Sequence, residues 1–430
     1  MDIAPLVNKS ADFAYRGTRL SFDLSHALFS SFDIDTGTRF LLKEIAHDEI
    51  ITGARLLLDA GCGTGIIGIS MAASCPEATV VMQDRDLLAC AFAERNCWKN
   101  GLPNSRFSLA GAELPPSGKI PAKKKAFAAR PGTILIEPGL LGQPDPRAPY
   151  QAILSNLPAK AGTTVLSHFI HMCGGSLLAP GGKLAFVIVN TLAALADEWC
   201  ATSGLILEKR EAGKGHTVFV LRKPETASQG PVPQGSVLEA YRRTTGNRAL
   251  GRYSTIIHGY WGLPEFDTNG FATELAIGGL EKACAGSLLR SLLVHEPGIG
   301  IAARWACRAF GAGTVHAISR DVLALAAARE NLMADKGRVP GFEAIDWLDA
   351  DTISPATMDA VLWFPVEIPE YDFITPAWNL ILSAAKKGAG IVIVSTSGTI
   401  ARFEKVKPAG IRKLGEKKKK GFSAFMAIRD

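Results

Sequence analysis

Cysteine is scarce and scattered: eight residues in a chain of 430, with no CxxC pair and no close Cys/His group. This argues against a disulfide framework and against a zinc ribbon, and it fits small buried thiols in a reducing compartment. No metal is expected. No uninterrupted apolar run reaches 18 residues, so no membrane-spanning helix is expected either. The opening MDIAPLVNKS lacks the basic and apolar stretches of a secretory signal, and a cytoplasmic location is the expectation. Excess charge is small. A formal net charge of +6 tolerates a polyanionic partner without requiring one. The basic residues are nevertheless clustered: residues 119–147 carry six basic and two acidic side chains, and residues 402–420 carry nine and two. Such runs are solvated faces unless they border a cleft, where they attract phosphates.

What the chain does have is apolar content, 47% against 20% charged, enough for sizeable cores and a length that suits two large domains. RLLLDAGCGTGIIGISMAA (55–73) reads as a strand, a glycine-rich turn and a helix from about Ile66. ATVVMQD (78–84) and LLACAFAERNCWKNG (87–101) read as the next strand and helix, and QAILSN (151–156), GGKLAFVIVN (181–190) and GHTVFVLRK (215–223) as later strands. Alternation of this kind predicts a mainly parallel sheet covered on both faces. The order recurs. SLLRSLLVHEPGIGIAARWACRAF (287–310), GTVHAIS (313–319), RDVLALAAARENL (320–332), AVLWFPVE (360–367) and KGAGIVIVST (387–396) repeat it, mostly at an offset near 235 residues, with Asn96 facing Asn331. We read an internal duplication. The expected division is 1–222, a Pro/Gly/Ser/Gln-rich linker at 223–235, and 236–430. Residues 114–149, with Lys123, Lys124 and Lys125 and several prolines, read as a poor helix or strand: a substrate-contacting loop or an ordinary elaboration.

The pattern Asp59-x-Gly61-x-Gly63-x-Gly65 is the sharpest chemical signal. Glycines there allow left-handed backbone angles and remove the Cβ atoms that would obstruct a ligand. The loop follows a strand, at the sheet edge where open α/β folds bind ligands. Its G-x-G-x-G spacing departs from the dinucleotide G-x-G-x-x-G, and a carboxylate precedes it. That charge disfavours a pyrophosphate and suits a ligand bearing an ammonium and a sulfonium, which favours S-adenosylmethionine over a nicotinamide dinucleotide. Cys62 lies within the loop. Asp84, 25 residues after Asp59, closes the next strand and can accept both ribose hydroxyl protons, with Arg85 beside it. Asp86 is the alternative, or a helix cap. The adenine pocket is less legible: Leu109, Ala110 and Gly111 are candidates, with Glu113 the nearest carboxylate. Ser155-Asn156-Leu157-Pro158-Ala159 ends another strand, either as a plain turn or as a set of acceptors for the N–H protons of a substrate amine, held for in-line attack on a methyl group.

These residues resemble the small-domain class I methyltransferases, particularly the two-domain ribosomal RNA guanine-N2 methyltransferases. DAGCGTG (59–65) is similar to their methionine-binding motif, Asp84 falls on their acidic ribose position, FSSFDIDTGTRFLL (29–42) resembles their upstream segment over the cofactor site, and SNLPA (155–159) stands at their Asn-Pro-Pro-aromatic motif. The resemblance implies two tandem Rossmann-like domains, methyl transfer to guanine N2 in ribosomal RNA or a ribosomal subunit, and amine acceptance by Asn156 and the Leu157 backbone, with Pro158 completing the turn. Two departures matter. Leu157 replaces a proline, and Ala159 replaces the aromatic that would stack on a flipped base. Another ring such as Phe29, Phe32 or Tyr150 must then help, or the substrate differs. Phe32 and Lys123–Lys125 are the substrate-binding candidates. A protein-glutamine or small-molecule N-methyltransferase, and a noncatalytic RNA-binding protein, are the alternatives.

The second copy reads as degenerate. His295-Glu296-Pro297-Gly298-Ile299-Gly300-Ile301 is expected to lack the final glycine, Ser319 replaces Asp84, and Trp363-Phe364-Pro365 replaces the Asn-containing turn. Substrate docking is its expected role. KLGEKKKKGF (413–422) reads as a charged hairpin or loop.

Overall fold

Apolar, β-branched runs build two large sheets, each preceded in the chain by a two-stranded hairpin. The computed structural model describes residues 2–29, 32–106, 132–226, 233, 235–251, 253–334 and 339–430. Two compact units divide it, Asp2–Tyr241 and Arg242–Asp430.

The first unit opens with an antiparallel hairpin of β1 (Lys9–Tyr15) and β2 (Thr18–Leu24), turned at Arg16-Gly17 with both residues at positive φ. Helices α1 (Thr36–Ile45) and α2 (Glu49–Thr52) follow. The chain then alternates through β3 (Leu56–Ala60), α3 (Ile66–Ser74), β4 (Thr79–Asp84), α4 (Leu87–Lys99), β5 (Asn104–Arg106), β6 (Ile134–Pro138), β7 (Tyr150–Asn156), α5 (Thr163–Met172), β8 (Leu178–Val189), α6 (Ala193–Thr202), β9 (Ile206–Ala212) and β10 (His216–Arg222). The sheet order is β5-β6-β4-β3-β7-β8-β10-β9. It is parallel from β5 to β8, and β10 and β9 close it antiparallel. Central β3 and β4 are buried almost throughout, as strands covered on both faces must be.

Two expectations change here. The 114–149 region, read as a poor strand former, contains β6, which inserts between β4 and β5. Its apolar Ile134–Ile136 segment is fully buried, and this outweighs the prolines and charges around it. The first unit also runs past the expected linker: α7 (Val237–Tyr241) belongs to it, with Tyr241 buried and its hydroxyl accepting the Leu141 N–H at 3.1 Å.

The second unit repeats the plan. The hairpin of β11 (Arg242–Leu250) and β12 (Tyr253–Tyr260) and helix α8 (Phe271–Ala283) precede β13 (Ser291–His295), α9 (Ile301–Phe310), β14 (Thr314–Ser319), α10 (Val322–Met333), β15 (Gly341–Asp346), β16 (Met358–Trp363), α11 (Ile374–Ala384), β17 (Ala385–Thr396), α12 (Ser397–Lys405), β18 (Ile411–Lys419) and β19 (Phe422–Arg429). Its sheet runs β15-β14-β13-β16-β17-β19-β18, and the lysine-rich stretch forms the β18–β19 hairpin.

The duplication extends to individual hydrogen bonds. Buried Asn96 on α4 accepts the Asp23 N–H at 2.7 Å and donates to the carbonyls of Asp23 and Thr64 at 3.1 and 2.9 Å. Buried Asn331 on α10 accepts the His258 N–H at 2.8 Å and donates to the carbonyls of His258 and Ile299, both at 2.9 Å. All three positions recur at the same 235-residue offset. Each asparagine ties a hairpin and a glycine loop to one helix. Truncating either strands three buried backbone groups, so Asn96→Ala and Asn331→Ala should each cost about 3 kcal/mol in urea unfolding. Only Asn96→Ala should also weaken ligand binding at the first glycine loop.

Candidate active site

Three adjacent strands deliver the predicted groups to one sheet edge. In register, Asp59 on β3 lies beside Met82 on β4 and Leu154 on β7, so Asp84 and Asn156 each sit two residues beyond it at the carboxyl ends. The loop between β3 and α3 holds Gly61, Gly63 and Gly65 at φ of +74°, +54° and +86°. A Cβ at Gly61 or Gly63 would meet nothing within 4 Å, so those faces open onto free space. At Gly65 it would press on Ala93 of α4 at 3.2 Å, so this glycine serves helix packing. Cys62 is buried, and burial pushes its thiol well above the usual range, so it stays a neutral thiol lining the loop.

Asp59 is fully enclosed. One carboxylate oxygen accepts the Gly68 N–H at 2.8 Å, while the other, Oδ1, is buried with no partner. Desolvation raises its pKa to about 7, opposed by the Gly68 bond and reinforced by the nearby Asp84 charge. Asp84 accepts the Gly63 N–H through Oδ2 and the Asp86 N–H through Oδ1, both at 2.8 Å. Burial, with the Asp86 charge adding, lifts it to about 6. Asp86 caps α4 by accepting the Leu88 N–H at 3.0 Å. Arg85 follows Asp84, partly buried. An unpaired buried carboxylate oxygen, a second raised carboxyl and an open glycine face fit a ligand with cationic and hydroxyl groups.

Asn156 is held by the upstream segment 29–42, through two residues that the sequence does not single out. Its amide nitrogen donates to Asp35 Oδ2 at 2.8 Å and to Thr38 Oγ1 at 3.0 Å, and Asp35 also caps α1 by accepting the Thr38 N–H at 3.1 Å. A carboxylate only accepts, so the NH2 must face Asp35, and the amide oxygen is turned away from it. Ser155 Oγ fixes the strand by donating to the Ala60 carbonyl at 2.7 Å. Leu157 is buried, its N–H given to the Val187 carbonyl at 2.9 Å, whereas Pro158 is exposed. Among the rings considered, Tyr150 is fully buried and its hydroxyl donates to Asp145, so it cannot stack on a substrate. Phe29 and Phe32 are exposed at 81% and 69%. Lys123–Lys125 and the adenine candidates Leu109, Ala110, Gly111 and Glu113 lie outside the described residues.

The second unit's loop keeps the same backbone but not the same glycines. Glu296 N–H bonds the Ile318 carbonyl as Gly61 bonds Gln83, and Gly300 bonds Pro297 as Gly65 bonds Cys62. The missing glycine is therefore the first and not the last: Glu296 stands at the Gly61 position, at φ +53°. Its carboxylate accepts from Ser319 Oγ at 2.8 Å and Arg320 N–H at 3.3 Å, and burial raises its pKa to about 7. Val294 stands where Asp59 would be.

The fold is that of an α/β protein whose two mixed sheets resemble Rossmann-like methyltransferase domains. Residues 19–113 match the methyltransferase small domain family. The chain is 26% identical over 176 residues to YbxB of Bacillus subtilis (strain 168), covering 41% of this chain and 72% of that one. It is 29% identical over 164 residues to ribosomal RNA small subunit methyltransferase C of Hahella chejuensis, covering 37% of each, so the match spans well under half of that enzyme. A solved structure of the T. thermophilus 16S rRNA N2 methyltransferase, in complex with AdoMet and guanosine, aligns over 99% of both chains with a TM-score of 0.64 and 14% identity. Residues 19–113 thus match a small methyltransferase domain, and the chain as a whole shares the fold of that 16S rRNA methyltransferase structure. Among the described residues, no helix is long and apolar enough to cross a membrane, and no group of three or more His, Cys, Asp or Glu could hold a metal.

Proposed function

We propose that the first unit uses S-adenosylmethionine to methylate an exocyclic amine, guanine N2 of ribosomal RNA in naked or assembled form, and that the second unit has lost cofactor binding and serves substrate docking. The orientation of Asn156 carries this reading. With its NH2 tied to Asp35 and Thr38, its oxygen is left to accept an amine N–H. The Leu157 carbonyl would take a second proton, so that the amine lone pair points at the donor methyl. S-adenosylmethionine supplies an electrophilic methyl on a cationic sulfur. Asp59 answers that ligand's positive charge, Asp84 its ribose hydroxyls, and Gly61 and Gly63 admit it at close range; Cys62, Gly65 and Arg85 complete the cradle. In the second unit, Glu296 places a side chain where the open glycine face would be, and no counterpart of Asp59 remains.

Phe32 is the exposed ring proposed to stand in for the aromatic missing at Ala159, and Lys123–Lys125 the proposed phosphate contacts. Because Tyr150 is buried, base stacking falls to fewer rings, and a protein-glutamine or small-molecule amine is the second reading. Labelled methyl incorporation into isolated ribosomal subunits, naked rRNA and protein fractions separates them. Label in RNA, mapped to guanine N2, is expected. Label confined to protein ends the RNA assignment, and the absence of S-adenosylmethionine binding by calorimetry at millimolar ligand leaves a noncatalytic RNA-binding role.

A further inference from the structure

The second unit lacks the cradle but has a cleft of its own at the carboxyl ends of β13 and β16. The cleft is small and open to solvent on one side, and its walls include His295, Trp347, Trp363, Pro365, Tyr371 and Phe373. In strand register Trp363 and Phe364 correspond to Ser155 and Asn156 of the first unit, so the cleft occupies the edge where that unit presents its amine acceptor.

His295 gives the cleft a polar requirement. Its ring stacks on Trp363 with centroids 3.9 Å apart and planes within 7°. Nδ1 lies 2.8 Å from the Phe364 carbonyl, and a carbonyl can only accept, so Nδ1 carries the proton. Nε2 is then a bare lone pair, buried and without a partner on a side chain only 2% exposed. Desolvation lowers the imidazole pKa to about 4, so the ring is neutral at physiological pH and cannot turn Nε2 into a donor. A buried acceptor left unmatched is costly, and an N–H from a ligand removes that cost. Aromatic walls select a flat partner.

We infer that this cleft binds a nucleobase that offers an N–H to His295 Nε2, guanine being the fitting base, as a docking point of the second unit additional to the first unit's site. The choice of a nucleobase rests on the RNA reading above; the need for a planar N–H donor does not.

The test uses free nucleosides and the full-length Asn156→Ala chain, whose first site has lost its acceptor. Guanosine and purine riboside, which presents no N–H on its base, are titrated while tryptophan fluorescence and heat are recorded. Guanosine should bind at least about tenfold more tightly, and His295→Phe, which keeps a flat ring and removes the acceptor, should erase the preference. Equal binding of the two nucleosides, or no binding of either, by an Asn156→Ala chain whose urea unfolding matches that of the unaltered chain overturns the proposal. A preference that survives in folded His295→Phe also overturns it. Because these titrations involve no methyl transfer, they stand or fall separately from the RNA methylation assay.

Discussion

Asn156→Ala should lower the turnover of methyl transfer by about 10²–10³-fold while leaving the Kd for S-adenosylmethionine within about twofold. The asparagine does not belong to the glycine cradle. It ends β7, and its two amide hydrogens are held by Asp35 and Thr38. What the substitution removes is an oriented oxygen that would hold the substrate amine, together with the polar link between β7 and the start of α1. Asp35→Ala should give a smaller loss, about tenfold, because it leaves the acceptor in place but frees it to rotate. Single-turnover rates and separately measured cofactor affinity check both. Turnover of Asn156→Ala equal to that of the unaltered chain would remove the acceptor role. A cofactor Kd that rises in step with the loss of rate would recast Asn156 as part of the cradle.

How much of this site could be read in advance follows from sequence separation. Asp59, Gly61, Gly63 and Gly65 lie within seven residues, and the turn they make depends on local backbone angles, so the motif is visible in the string. Asp84 and Asn156 were locatable because each ends a strand, and a parallel sheet brings strand ends to one edge. Asp35 and Thr38 were not singled out. They meet Asn156 across 121 and 118 residues, and Asp-x-x-Thr before an apolar helix reads fully as an N-cap, a role Asp35 also fills. β6 escaped notice because its Ile-Leu-Ile core is short and its surroundings look like loop, while its neighbours β4 and β5 supply the burial. The register of the second glycine loop is hidden for a different reason. Two glycines out of three can be aligned in two ways, and only the matching hydrogen bonds of Glu296 and Gly61 fix the register. Tyr150 opens β7, and the first side chain of a strand can face either side; its bond to Asp145 and its burial settle which.

Asp59→Asn should weaken S-adenosylmethionine binding by about 10–100-fold at pH 8 without lowering the chain's stability there. The isolated carboxylate is unfavourable without a cationic partner: it is enclosed, one oxygen has no hydrogen bond, and its pKa has risen from the ordinary 3.8 to about 7. The sign of the pH effect follows from proton counts. Below the unfolded value both states are protonated and Asp59 costs nothing. As pH climbs from about 4 to about 7 the unfolded chain releases this proton while the folded chain keeps it, so stability falls across that window and then levels off. At about 1.4 kcal/mol per pK unit, the loss amounts to a few kcal/mol. An asparagine keeps an acceptor for the Gly68 N–H and never ionises, which offsets the buried amide it introduces. A cationic ligand reverses the balance, because a carboxylate beside a positive charge in a dry pocket makes a charge-assisted bond worth about 1.5–3 kcal/mol. Binding to the unaltered chain should therefore tighten as pH rises from 6 to 8 and release protons, detected as heats that change with the buffer's ionisation enthalpy. Asp59→Asn should remove the part of that rise that levels off near pH 7 and leave the part ending near pH 6 that Asp84 controls. Unchanged affinity in Asp59→Asn at pH 8 would mean that the cradle meets its ligand's charge elsewhere, and the sulfonium-and-ammonium reading of the glycine motif would fall with it.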